Sequence, residues 1–234
     1  MNYFALLLGP EPTEEADEAT VAEIMAAYQN FHIKAGEAIR AGDALLPSTT
    51  AVRITGGPSH PVVTDGPFTE GAEVAGGYYV LEADTLDDAL ALAQEIPACQ
   101  DGAVEVWPMA DAIPQQGPLQ GSNWLALLLE PPSGAPTPGT PEWDAGAAAH
   151  GEFIAAAGKH IKSGGGLHPP STATTVRVRN GKVTLTDGPY IEGAEVANGF
   201  YILAAADRDE AVKIASMIPA TAVELRPLAG VSAL

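Results

Sequence analysis

Read for hydrophobic and polar positions, the chain opens on the unbroken apolar run Tyr3-Phe4-Ala5-Leu6-Leu7-Leu8. A run of that length, with no helical spacing, predicts a strand covered on both faces. The period then changes. Val21, Ile24, Met25, Tyr28, Phe31, Ala35 and Ile39 recur at helical spacing. They predict a helix from about Thr20, where Thr20 and Glu23 fit a capping box, to a stop before Gly42. Residues 50–55 and 61–64 alternate as strand segments around Gly56-Gly57-Pro58, and 76–81 read as a further strand. A second helix is predicted from Thr85, with Asp88 three residues on, to Pro97, and Val104-Glu105-Val106-Trp107 closes the series as a strand.

The whole series then starts over. Asn2-Tyr3-Phe4-Ala5-Leu6-Leu7-Leu8 returns as Asn123-Trp124-Leu125-Ala126-Leu127-Leu128-Leu129. Thr64-Asp65-Gly66-Pro67-Phe68-Thr69-Glu70-Gly71-Ala72-Glu73-Val74-Ala75 returns as Thr186-Asp187-Gly188-Pro189-Tyr190-Ile191-Glu192-Gly193-Ala194-Glu195-Val196-Ala197. Ile96-Pro97 and Ala103-Val104-Glu105 return as Ile218-Pro219 and Ala222-Val223-Glu224. Self-similarity over this length marks a tandem duplication, with repeat 1 at 1–110, a Pro-, Gln- and Gly-rich linker at 111–122, and repeat 2 at 123–234. The order βαββαβ in each repeat is the ferredoxin-like plan, α+β in class. One sheet with both helices on one face leaves its other face apolar and bare, so the two repeats are expected to pack sheet to sheet as a pseudo-dimer with a cleft between them.

Composition narrows the function. The formal charge is −19, from 30 acids against 11 bases. That balance disfavours phosphate backbones and anionic membrane surfaces, so neither direct nucleic-acid binding nor membrane association is expected. The acidity is lopsided: residues 1–110 hold 18 acids and 3 bases, residues 118–234 hold 11 and 8. Cys99 is the single cysteine, which excludes an intrachain disulfide and points to a reducing, cytoplasmic setting. The apolar run near the start has no basic flank and is too short for a signal or a span. There is no phosphate-binding glycine loop, GxGxxG, GxSxG or CxxC, so no cofactor is expected.

The Asp65-Gly66-Pro67-Phe68 segment, followed by Glu70, Glu73 and Gly77-Tyr78-Tyr79 and then an acid-capped helix ending in Ile-Pro, resembles the YCII-related superfamily, and within it the DGPF branch. The resemblance spans about 2–108 and 123–228. It implies a dimeric α/β-barrel fold. It also implies an enzymatic activity resting on a His and an Asp, lyase-like or dehydrochlorinase-like in some members. For the DGPF branch it implies an association with extracytoplasmic-function sigma factors.

Several residues are candidates for chemistry. Asp65 and Asp187 either close the turn at Gly-Pro or, crowded by Glu70 and Glu73 in one repeat and Glu192 and Glu195 in the other, act as general bases. The carboxylate spacing matches no recognised metal loop, and no metal is expected. His32 lies on the apolar stripe of the first helix, opposite Ile154 in repeat 2; His150, one turn earlier on the corresponding helix, could reach the same cleft. Repeat 1 is therefore the expected seat of histidine chemistry. Arg53 and Arg177 either bind a carboxylate ligand or pair with local acids. Tyr79 and Tyr201 either pack in the core or turn a hydroxyl to a ligand. The leading expectation is a small-molecule protein with cofactor-free acid/base chemistry, elimination or isomerisation. The alternative is a non-catalytic partner of a sigma factor acting through its acidic surface.

Overall fold

A computed structural model describes residues 1–11, 17–68, 73–117, 119, 122–189 and 195–231. In repeat 1 the elements are β1 (Asn2–Gly9), α1 (Glu18–Ala35), β2 (Ile39–Ala44), β3 (Val52–Thr55), β4 (Val62–Asp65), β5 (Val74–Glu82), α2 (Leu86–Ala93), the single turn α3 (Ala98–Asp101) and β6 (Ala103–Pro108). Repeat 2 follows the same order without a counterpart of α3, as β7 (Asn123–Glu130), α4 (Pro141–Ala157), β8 (Ile161–Gly166), β9 (Thr174–Arg179), β10 (Lys182–Asp187), β11 (Val196–Ala204), α5 (Arg208–Ala215) and β12 (Ala222–Pro227). The α+β class and the ferredoxin-like plan hold, with the sheet order β6-β1-β5-β2 in repeat 1 and β12-β7-β11-β8 in repeat 2, all antiparallel.

The first helix is shorter than its pattern predicts and starts elsewhere. Asp17, not Thr20, is the N-cap, its carboxylate accepting from the Thr20 N–H at 2.8 Å. Gly36 ends the helix at φ 52, a left-handed backbone that glycine adopts without strain. Ile39 then belongs to β2, which takes the place of the expected final helical turns. Of the predicted stripe only Phe31 and Ala35 are buried on the helix, while Val21, Ile24 and Met25 remain 46, 48 and 46% exposed. α4 behaves alike, burying only Phe153 and Ala157. Both long helices are therefore seated by their last turns, and their N-terminal halves stand off the sheet. α2 is capped as its sequence predicts, Thr85 accepting from the Asp88 N–H at 3.2 Å.

The central hairpins trade places. The β3–β4 hairpin of repeat 1 does not join its own sheet: β3 pairs with β12 of repeat 2, Arg53 lying opposite Glu224. Reciprocally, β9 pairs with β6, Glu105 opposite Thr175, so β9–β10 completes the sheet of repeat 1. Two six-stranded sheets result, β10-β9-β6-β1-β5-β2 and β4-β3-β12-β7-β11-β8, each built from both repeats. The chain after each last strand also crosses over. Ile113 exchanges backbone hydrogen bonds with Gly164 at the edge of β8 (2.7 and 3.2 Å), and Ala229 donates to Ala44 at the edge of β2 (2.9 Å).

One apolar cluster joins the inner faces of the two sheets, with Phe4, Leu6, Tyr78 and Trp107 from one against Leu125, Leu127 and Phe200 from the other. The Phe4 and Phe200 rings stack at 4.4 Å between centroids. Each such side chain contributes about 1.5–3 kcal/mol on burial, and together they bind the repeats across the space where the sequence placed a cleft. Two further clusters lie between each sheet and its helices, holding Tyr79 and Phe31 on one side and Tyr201 and Phe153 on the other.

Candidate functional site

Strand alternation sends Tyr78 and Phe200 into the inter-sheet core and Tyr79 and Tyr201 to the helix side. Gly42 in β2 and Gly164 in β8 let those tyrosine rings lie flat on the neighbouring strand; a Cβ on Gly42 would come within 2.3 Å of the Tyr79 ring, and one on Gly164 within 2.7 Å of the Tyr201 ring. Each tyrosine then meets a histidine from the long helix above it. His32 Nε2 is 2.8 Å from the Tyr79 hydroxyl, and His150 Nδ1 is 3.0 Å from the Tyr201 hydroxyl. The two histidines are not equivalent in the alignment, since His150 matches Tyr28 and His32 matches Ile154. They reach equivalent tyrosines from adjacent turns, so the repeats carry the same pair built from different helix positions.

Burial shifts both partners toward neutrality. It holds the His150 imidazole below the usual 6.5, against the opposing pull of Asp111 and Glu130, and raises the Tyr201 hydroxyl well above the ordinary phenol range. His32 is lowered by burial as well, and Tyr28, packed beside Phe31, is pushed up to about 12.

Open space adjoins the His150–Tyr201 pair. Beneath α4 lies a cleft of about 480 Å³, walled by the helix, by β8 and β11, by the 111–113 segment and by residues 130–136. His150 and Tyr201 line it, together with Trp143, Asp111, Glu130 and Glu142. With Nδ1 committed to Tyr201, Nε2 of His150 makes no hydrogen bond among the described residues. Three of the helix residues facing this space are small: Gly146, Ala147 and Gly151 stand where repeat 1 has Ile24, Met25 and Gln29. A Cβ on Gly146 or Gly151 would meet nothing within 4 Å. Neither packing nor backbone therefore requires glycine there, although each weakens a helix interior by about 0.5–1 kcal/mol relative to alanine. Their visible consequence is open volume. This cleft lies in repeat 2, on the outer face of a sheet.

The other candidates are placed elsewhere. Asp65 ends the edge strand β4 with its side chain 76% exposed, paired with Arg208; Asp187 is exposed at the end of β10. The turn after each is tied back to the sheet, Gly66 N–H donating to Ala51 O and Gly188 N–H to Ala173 O, both at 2.8 Å. Arg53 and Arg177 spend their charges on the candidate glutamates. Arg177 grips Glu73 with two hydrogen bonds, 3.0 and 2.8 Å, and Arg53 bonds Glu195 at 3.0 Å and Glu224 at 3.2 Å while lying over the Phe68 ring. Each of these ion pairs ties an exchanged hairpin to the other repeat. Glu70 and Glu192 lie outside the described residues. Among the described residues no three His, Cys, Asp or Glu groups gather closely enough to share a metal ion, and no helix is long and apolar enough to cross a membrane. Cys99 is buried, with its thiol pushed up to about 12 by burial. Trp143, Asp111 and Glu130 escaped the sequence reading; only the helix glycines, absent from the matching helix, signalled this site.

Comparison with known proteins fits the duplication. Over 100 residues, 42% of this chain and 79% of the relative, the sequence is 30% identical to an uncharacterized protein of Rhizobium meliloti (strain 1021), a protein little longer than one repeat. A family model of the YCII-related domain matches residues 1–112 and matches again over 133–228. With both repeats matched along nearly their whole length, the chain belongs to the YCII-related domain family.

Proposed function

We propose that the protein binds a small molecule in the cleft beneath α4 and that His150 and Tyr201 handle a proton there. The observation that carries this reading is the pair of helix glycines, Gly146 and Gly151, which leave open a space next to a histidine–tyrosine pair without any packing need. A concave, largely apolar space with a few convergent polar groups is the usual form of a ligand site. The chemistry follows from the pair. A neutral imidazole with Nδ1 on the tyrosine hydroxyl offers Nε2 to a ligand proton, and the developing imidazolium is stabilised by Asp111 and Glu130. Abstraction and return of a proton at adjacent positions is isomerisation; abstraction with loss of a leaving group is elimination. Both run without a cofactor.

In this reading the hydrophobic sheet interface, the exchanged hairpins and the crossed-over tails form a pseudo-dimeric α/β barrel whose role is to hold α4 at a fixed height above β8 and β11. Asp65 and Asp187 anchor the hairpin turns and take no part in the proton chemistry. The reading is tested by screening a fragment library by thermal shift on the wild type and on Gly146→Ile/Gly151→Gln, which installs the side chains of repeat 1. Hits confined to the wild type support the cleft; hits shared by both proteins place binding elsewhere.

A further inference from the structure

We propose, resting on the ligand-site reading above, that the cleft selects a small organic cation: a protonated amine carried on an apolar or aromatic body. Three of its lining residues, Asp111, Glu130 and Glu142, are carboxylates, and none is lysine or arginine. This is not the general acidity of the chain spilling into a hollow. The surplus of acids sits in residues 1–110, whereas residues 118–234 hold 11 acids and 8 bases, so basic side chains are at hand in repeat 2 and none faces the cleft. At the matching positions of repeat 1, Glu130 and Glu142 become Gly9 and Thr20, and Trp143 becomes Val21. The two glutamates and the indole are therefore particular to repeat 2.

Two of the carboxylates are also set in place before any ligand arrives. Asp111 accepts the Gly166 N–H on Oδ1 at 2.6 Å, leaving Oδ2 without a hydrogen bond among the described residues. Glu130 is braced by Thr221, whose N–H donates to Oε1 at 2.8 Å and whose hydroxyl donates to Oε2. A fixed carboxylate attracts a cation without first having to reorganise. The three carboxylates do not converge on one point, since no three acidic, histidine or cysteine groups gather closely enough to share a metal ion among the described residues. That spacing fits an extended organic cation better than a bare ion. Trp143 is in the wall, and an indole attracts a cation placed over its ring, while Leu128, Ile113 and Pro219 supply apolar surface for the body. An anion of the same shape would meet three carboxylates and no counter-charge.

Three isosteric probes test the charge alone: tryptamine as the cation, tryptophol as the neutral alcohol and indole-3-acetate as the anion. Each is titrated into the intact chain at pH 7.5 and low salt, followed by the indole N–H resonance of Trp143. The expected order is tryptamine, then tryptophol about tenfold weaker, then indole-3-acetate weakest, as two or three partly solvated carboxylates at up to about fivefold each require. In Asp111→Asn/Glu142→Gln the advantage of tryptamine should shrink by about fivefold or more while tryptophol is unchanged. Asn still accepts from the Gly166 N–H, and Glu142 is exposed, so folding is spared. Without any substitution, raising salt to about 0.5 M should weaken tryptamine and leave tryptophol alone. Equal affinity of tryptamine and tryptophol, or a preference for indole-3-acetate, overturns the charge inference and leaves the cleft standing as a ligand site. If none of the three probes moves Trp143, the charge inference falls, while the ligand-site reading stands or falls on the fragment screen.

Discussion

Replacing Gly146 and Gly151 with alanine is expected to make the protein more stable, a result that a packing role for these glycines would forbid. Both lie inside α4, and neither has a backbone angle that excludes a side chain. The added methyl groups meet nothing within 4 Å. The gain is then the intrinsic helix preference of alanine, together with fewer unfolded-state conformations, about 0.5–1 kcal/mol at each site. The two positions lie more than one turn apart and share no contact, so the effects add to about 1–2 kcal/mol. For a chain of this size that corresponds to a rise in Tm of about 2–8 °C. Differential scanning calorimetry and urea unfolding of both single variants and the double variant measure it, with the urea slope unchanged if only the helix is affected. A loss of stability beyond about 1 kcal/mol in either single variant would refute the reasoning. The glycines would then be serving a close approach, and the open volume would be incidental.

Other outcomes follow from the same geometry. Acid should destabilise the fold in part through its half-buried histidines: His150 and His32 sit below their usual 6.5, so the unfolded chain takes up protons first. Stability should therefore fall as pH drops below about 6.5. His150→Tyr/His32→Ile, each taking the residue of the other repeat, should flatten that fall, and an unchanged pH profile by calorimetry would reject it. A double-mutant cycle on Arg177→Met and Glu73→Gln, whose side chains are 21 and 13% exposed, should show a coupling of about 1–2 kcal/mol. The same cycle on the exposed Lys34–Glu95 pair should give about 0.5 kcal/mol or less. Residues 1–112 expressed alone should form a dimer in light scattering, two copies exchanging the Val52–Asp65 hairpins; a stable monomer would contradict the reciprocal pairing of β3 with β12 and β9 with β6.

The duplication and the ferredoxin-like plan were legible because long apolar runs and the Asp-Gly-Pro segment recur at a nearly constant offset. β2 was not. Ile39-Arg40-Ala41-Gly42-Asp43-Ala44 has little strand character, and it pairs with β5 because Gly42 admits the Tyr79 ring, a tertiary fit that local preference does not register. The hairpin exchange was hidden for a related reason. Residues 52–65 read as strands in either sheet, and their pairing with β12 in place of β6 is a tertiary arrangement that the local pattern does not register. At the site, His150 and Tyr201 were legible as residues but not as a pair, since His150 aligns with Tyr28 and not with His32. The cleft itself was written in glycines that look like poor helix design until the space around them is seen.

Among the three tryptophans one measurement reaches the central claim. Trp107 is fully buried in the inter-sheet core and Trp124 is buried between sheet and helix, whereas Trp143 lines the cleft. With three assigned indole N–H resonances, a fragment screen of the whole chain reads the cleft and the core at once. Hits that move the Trp143 signal in a saturable way, leave Trp107 in place and lose their effect in Gly146→Ile/Gly151→Gln are the predicted result. Hits that leave Trp143 unmoved, or that act equally on the filled variant, would contradict it.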